Sequence, residues 1–195
     1  MRFFVEVYVL INIENLRGRL QSELRSTHAG LDRVVSQFNL SSRAGIVGFL
    51  RMQEAALGQI PLGACNSATR RVVEDLATRA RRDLDTLNIP TLILEKNFEG
   101  KPDRHALDYV IGGSRLGSQV LKRRWKSAAV SLGGVGTSYM TAPSHLGIWR
   151  DFCELASDFP SNTEHADTIV RDASVVFALF RHAADLAYED IHNYA

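Results

Sequence analysis

The chain has 195 residues, 45% hydrophobic and 23% charged, ordinary figures for a globular protein of one domain. At that length roughly 70% of the unfolded surface can be buried, so folding needs no disulfide or metal staple. Lys and Arg number 23 against 22 Asp and Glu, which excludes a nucleic-acid binder driven by bulk charge.

The two cysteines, Cys65 and Cys153, lie far apart; they cannot build a structural zinc site and read as reduced thiols. Phe3 to Ile13 is apolar but interrupted by Glu6 and Asn12, and it is too short for a membrane span, which needs about 20 apolar residues. No small-residue cleavage site follows at Asn15-Leu16-Arg17-Gly18. Residues 1–13 are therefore read as an N-terminal extension, and residues 14–195 as one helical domain of a cytoplasmic protein with no membrane and no nucleic-acid partner.

Apolar spacing along the domain is helical. Ile13, Leu16, Leu20, Leu24, Leu31, Val35 and Phe38 fall at steps of three and four, which predicts a first helix of about 25 residues. Ser41-Ser42 caps a second helix that runs to Pro61. A third spans Ser67 to about Leu87 and stops at Asn88-Ile89-Pro90. Residues 91–101 read as an extended connector. The fourth helix begins at Pro102-Asp103 and reaches about Lys126. Residues 127–143, with Gly133, Gly134 and Gly136, read as a loop. A fifth helix covers His145 to Phe159, and Ser161 to Glu164 opens a last one to about His192. The fold class is all-α, a single-domain bundle of six to seven helices.

Two features are not explained by propensity. The fourth helix carries Gly112, Gly113 and Gly117, and each Gly inside a helix costs about 1 kcal/mol relative to Ala. Gly113 and Gly117 are four apart and share one face, leaving bare backbone that a flat or bulky group could approach. Tight helix packing, or a break between two helices, would use the same residues. The second feature is His28, within the apolar stripe of the first helix. A core histidine with a satisfied ring nitrogen and an axial ligand to haem iron both fit that position.

Leu24-Arg25-Ser26-Thr27-His28-Ala29-Gly30-Leu31-Asp32 resembles the proximal-histidine segment of haem oxygenases. Tyr109 to Arg123, with Gly-Ser-x-Leu-Gly at 113–117, is similar to the distal helix of the bacterial, phytochrome-associated branch of that family. The likeness extends over about residues 14 to 190. It implies a haem sandwiched between proximal and distal helices and its O2- and electron-dependent opening to biliverdin, with release of CO and ferrous iron. Haem would be both substrate and cofactor. His28 would be the axial metal ligand, and Gly113 and Gly117 the close-approach positions of the distal helix, with Gly112 at its kink. Tyr109 occupies a position from which some bacterial members reach a haem propionate. Arg25 stands one turn from position 21, where the animal-type lysine is replaced by Gln21. Ser114 replaces the Asp that many animal-type members carry after the first distal glycine, so proton delivery would use ordered water and backbone groups.

Electrons must come from outside, from a ferredoxin or from a reductase with NADPH, because the chain has no dinucleotide-binding turn and no Fe–S cysteine cluster. Lys122-Arg123-Arg124-Trp125-Lys126 is either a solvated helix end suited to the macrodipole or a docking patch for such an acidic partner. Arg70-Arg71 and Arg79-Arg81-Arg82 read as solvent-facing charge. The remaining histidines show no ligand spacing, and one Glu-x-x-His, Glu189 to His192, is too few for a di-iron bundle. A phytochrome is a prospective acceptor of the bilin, and the expected state is a monomer. Two alternatives stay open: a non-catalytic haem- or bilin-binding protein of the same fold, and an all-α scaffold without a cofactor.

Overall fold

The computed structural model describes residues 14–94 and 100–193. The N-terminal extension and part of the connector at 91–101 lie outside the described residues. Within them eight α-helices follow one another: α1 (Leu16–Glu23), α2 (Arg25–Val35), α3 (Arg43–Gly58), α4 (Ser67–Thr86), α5 (Arg104–Lys126), α6 (Thr137–Met140), α7 (Leu146–Asp158) and α8 (Glu164–Asn193), with a 3-10 turn at Leu62–Ala64. The all-α reading holds, and the helix count exceeds the expected six to seven for two local reasons.

The first reason is Leu24. The single long helix expected from the apolar spacing breaks there, at φ −96° and ψ 5°, although its N–H still donates to the Leu20 carbonyl at 3.0 Å. The two segments rest on different supports. α1 lies against α7, whereas α2 lies along α8. Burying Leu16 and Leu20 on one and Val34 on the other requires a change of direction that one straight helix cannot make. The second reason is Asp83 of α4, whose carboxylate accepts the Ser138 and Tyr139 backbone N–H groups at 3.0 and 2.8 Å. Those bonds satisfy the orphan donors of a short turn and fold α6 inside the segment expected to be a loop.

Elsewhere the helix starts follow their caps. Asn15 accepts from the Gly18 N–H, Ser42 from Gly45, Asn66 from Ala68 and Thr69, and Asp103 from His105; each such bond contributes about 1 kcal/mol. α3 packs on α4 and α8, and α5 on α7 and α8. Phe49, Leu50, Met52, Leu76, Leu84, Leu107, Ile111 and Ile169 are buried at the centre. Among the described residues no helix is long and apolar enough to cross a membrane.

Candidate functional site

α8 is the floor of the candidate site. α2 and α5 both pack against it, while α2 and α5 share no comparable interface with each other. The ring of Phe177 on α8 touches both neighbours. It meets the His28 imidazole edge-on at 5.6 Å and the Tyr109 ring at 6.2 Å. The proximal and distal segments singled out in the sequence therefore flank one aromatic side chain.

His28 does not lie inside the buried stripe as its spacing suggested. Leu24 and Val34 are buried, Leu31 is half-buried, and His28 falls at the margin of that face with 53% of its side chain exposed. Its Nδ1 pairs with the Asp32 carboxylate at 3.0 Å, one turn along α2. This contact is the main reason the His28 pKa is raised above its ordinary value, with burial opposing it. A carboxylate on one ring nitrogen fixes the tautomer and leaves the other nitrogen as a potential metal ligand. Among the described residues nothing pairs with His28 Nε2.

The three glycines of α5 have three different surroundings. A Cβ on Gly112 would lie 3.1 Å from both Ile148 Cγ2 and the Trp149 backbone nitrogen, so this position serves the close packing of α5 on α7. A Cβ on Gly113 would meet the rim of the Trp149 indole at 3.3 Å. A Cβ on Gly117 would meet nothing within 4 Å. Packing thus accounts for Gly112 and in part for Gly113, but not for Gly117. Beside Gly117, Leu116 and Val120 are 46% and 44% exposed, which makes this stretch of α5 an uncovered apolar wall.

At the foot of that wall Tyr109 sits among Trp149, Phe152 and Phe177, at centroid separations of 5.9, 5.5 and 6.2 Å. Burial pushes its hydroxyl up to about 12, so it remains a neutral phenol capable of donating a hydrogen bond. Ser114 Oγ donates to the Ile111 carbonyl at 2.7 Å, within its own helix. Arg25 is exposed on α2.

The two basic runs differ. On α4, Arg70, Arg79 and Arg81 pair with Glu74, Asp75 and Asp85 at 3.1, 2.7 and 2.9 Å. At the end of α5, Arg123, Arg124 and Lys126 are exposed, and among the described residues they form no ion pair. Trp125 within that run is buried and donates from Nε1 to the Val135 carbonyl at 2.8 Å.

Sequence reasoning assigned no role to four residues that the fold places at the site. Asp32 lies within the quoted proximal segment, and its spacing from His28 was a usable signal. Phe177, Trp149 and Arg181 carried none, since their proximity depends on how α7 and α8 cross α2 and α5. The Arg181 guanidinium lies 3.4 Å from the position a Cβ on Gly30 would take and pairs with Asp185 at 2.9 Å. Among the described residues no three His, Cys, Asp or Glu side chains converge as a metal-binding group. Cys65 and Cys153 are unbonded. No family model matches the chain, and no curated protein matches it either.

Proposed function

We propose that the protein has the haem-oxygenase fold and converts haem to biliverdin, CO and ferrous iron, using O2 and electrons from an external ferredoxin or reductase. The observation that carries this reading is the state of His28. Its imidazole is oriented by Asp32 through Nδ1 and half exposed, on a helix that packs on α8 as α5 does, and α5 carries the apolar wall of Leu116, Gly117 and Val120. These residues fit a flat apolar ligand with a metal at its centre. They fit an aqueous metal ion poorly, since only one nitrogen ligand is offered.

Each residue has a separable task. His28 holds the metal from one side, and Asp32 keeps its ring in the tautomer that can do so. Gly117 removes the side chain that would hold the ligand away from the α5 backbone. Tyr109, as a neutral phenol, donates a hydrogen bond, and Arg25 and Arg181 place positive charge on the two helices where carboxylates of the ligand would emerge. Haem itself supplies the oxygen chemistry. The unpaired cations at the end of α5 provide a surface for an acidic electron donor.

One observation favours a second reading, a haem or bilin carrier without turnover. Ser114 Oγ is already committed to the Ile111 carbonyl, so it does not reproduce a carboxylate's hold on ordered water. Hemin titration of the wild type and of His28→Ala tests both readings together. Haem binding predicts a Soret band whose position and intensity change on losing the imidazole; identical spectra would end it. Addition of ferredoxin, its reductase and NADPH then separates enzyme from carrier, because only the enzyme yields biliverdin.

A further inference from the structure

Arg115 lies two positions from both Gly113 and Gly117, and at about 100° per residue it points to the opposite side of α5. It is only 4% exposed. It lines a cavity of about 40 Å³ bordered by α3, α5 and α6, where Gln53, Ser114, Ser118, Gln119 and Lys122 also reach the wall. Among the described residues no carboxylate lies within ion-pairing distance of Arg115, and its buried Nε has no hydrogen-bond partner. The Tyr139 hydroxyl stands against the guanidinium, but it donates its proton to Gln53 Oε1 at 2.9 Å and supplies no charge.

An arginine does not lose its proton on burial, and a buried charge without a counter-charge carries a desolvation penalty of several kcal/mol. The rest of the wall adds positive charge and donors. Lys122 contributes a second cation, and the Gln53 amide nitrogen is left to donate once its oxygen has accepted from Tyr139. Ser118 has spent its proton on the Arg115 carbonyl at 2.7 Å. No carboxylate lines the cavity.

We infer that this cavity binds a small planar oxyanion, of formate or nitrate size, held by the Arg115 guanidinium, with Lys122 completing the charge. The fork of a guanidinium holds two oxygens of one acceptor at once, in carboxylate and phosphate alike, so the choice among anions falls to size. The volume sets the size, since one water occupies roughly 10–15 Å³ by the same measure and the cavity holds roughly three such atoms. A cavity of about 40 Å³ favours formate and nitrate over inorganic phosphate. Ser114 of the haem reading also lines this cavity, but Arg115 and Lys122, which hold the anion, lie off the face formed by Gly113 and Gly117, so the inference does not rest on that reading.

The test is a titration of the full chain with sodium formate, sodium nitrate and inorganic phosphate, at ionic strength fixed with a bulky sulfonate buffer. The observable is the arginine Nε–Hε region of a proton–nitrogen correlation spectrum. One resonance, identified by its loss in Arg115→Lys, moves saturably with formate and nitrate and does not move with phosphate. Lys122→Gln weakens that affinity at least threefold without abolishing it. Absence of a saturable shift in the wild type overturns the inference, as does a Lys122→Gln variant that binds formate as tightly as the wild type. Should Arg115→Lys fail to fold, the resonance is assigned through its scalar couplings in the wild type and Lys122→Gln carries the test.

Discussion

The two sides of α5 were shaped by opposite requirements. One side has given up side chains: Gly112 is pressed onto α7, Gly113 meets the Trp149 ring, and Gly117 faces open space. The other side has buried a charged side chain, Arg115, where an aliphatic residue would cost less. A helix selected for stability alone would do neither. The glycines forgo roughly 1 kcal/mol each, and the buried guanidinium is left without a carboxylate. The comparison teaches that local cost is informative only once its surroundings are known. Gly113 and Gly117 look equivalent in the sequence, yet one meets the Trp149 ring and the other meets nothing.

Four substitutions break or sharpen that contrast, beginning with the largest effect. Gly117→Leu fills the open face beside Leu116 and Val120; biliverdin formation is expected to fall by about a hundredfold, or its ring-opening isomer to change, as misplacement near a reacting centre can cost that much. Unchanged rate and isomer in a single-turnover assay would remove Gly117 from the site. Gly112→Ala drives a Cβ against the Trp149 backbone, which cannot move without α7, and should lower stability by about 1–2 kcal/mol in denaturant unfolding.

The same change at Gly117 should have the opposite sign. Gly117→Ala meets no atom within 4 Å and should stabilise the haem-free protein by about 1 kcal/mol, while weakening hemin binding in a spectral titration. A variant that gained stability and kept its hemin affinity would show that the glycine does not serve close approach.

The smallest effect is the pH dependence of ligation. The hydrogen bond to Asp32 raises the His28 pKa, and in the haem reading iron would compete with the proton for Nε2. Ligation would then be complete above that raised pKa and, because iron holds Nε2 against the proton, be lost only as pH falls below it. Asp32→Asn withdraws the main cause of the shift, so the midpoint of Soret loss on acidification should move to lower pH. The pair's contribution to folding runs the other way: it is fully present below the unfolded-state pKa of His28 and fades as pH rises through the folded one. A midpoint that Asp32→Asn leaves in place would dissociate Asp32 from the imidazole.

Most of the fold was legible because helix boundaries are written locally. Ser42, Asn66 and Asp103 are capping residues just ahead of apolar periodic segments, and Pro61 and Pro90 mark where chains must turn. What escaped was decided across the bundle. The break at Leu24 follows from α1 and α2 resting on different helices, and α6 exists because Asp83, more than fifty positions earlier in the chain, accepts its first N–H groups. The candidate site divides in the same way. His28 and the glycines stand out by residue type and spacing, and Tyr109 only through the resemblance. The Trp149 ring over Gly113, the shared contact with Phe177 and the burial of Arg115 arise only when helices cross.

The break at Leu24 also separates two segments that are fastened very differently. α1 is held by a backbone bridge from Asn15 to Pro160, by the Leu16 N–H to the Phe159 carbonyl at 2.9 Å, and by Arg19 reaching Ser161 and Asp167, each at 2.6 Å. α2 has Val34 as its one fully buried side chain. Amide protons of α2 should therefore trade with deuterium sooner than those of α1, and His28 rides on the segment with fewer polar anchors.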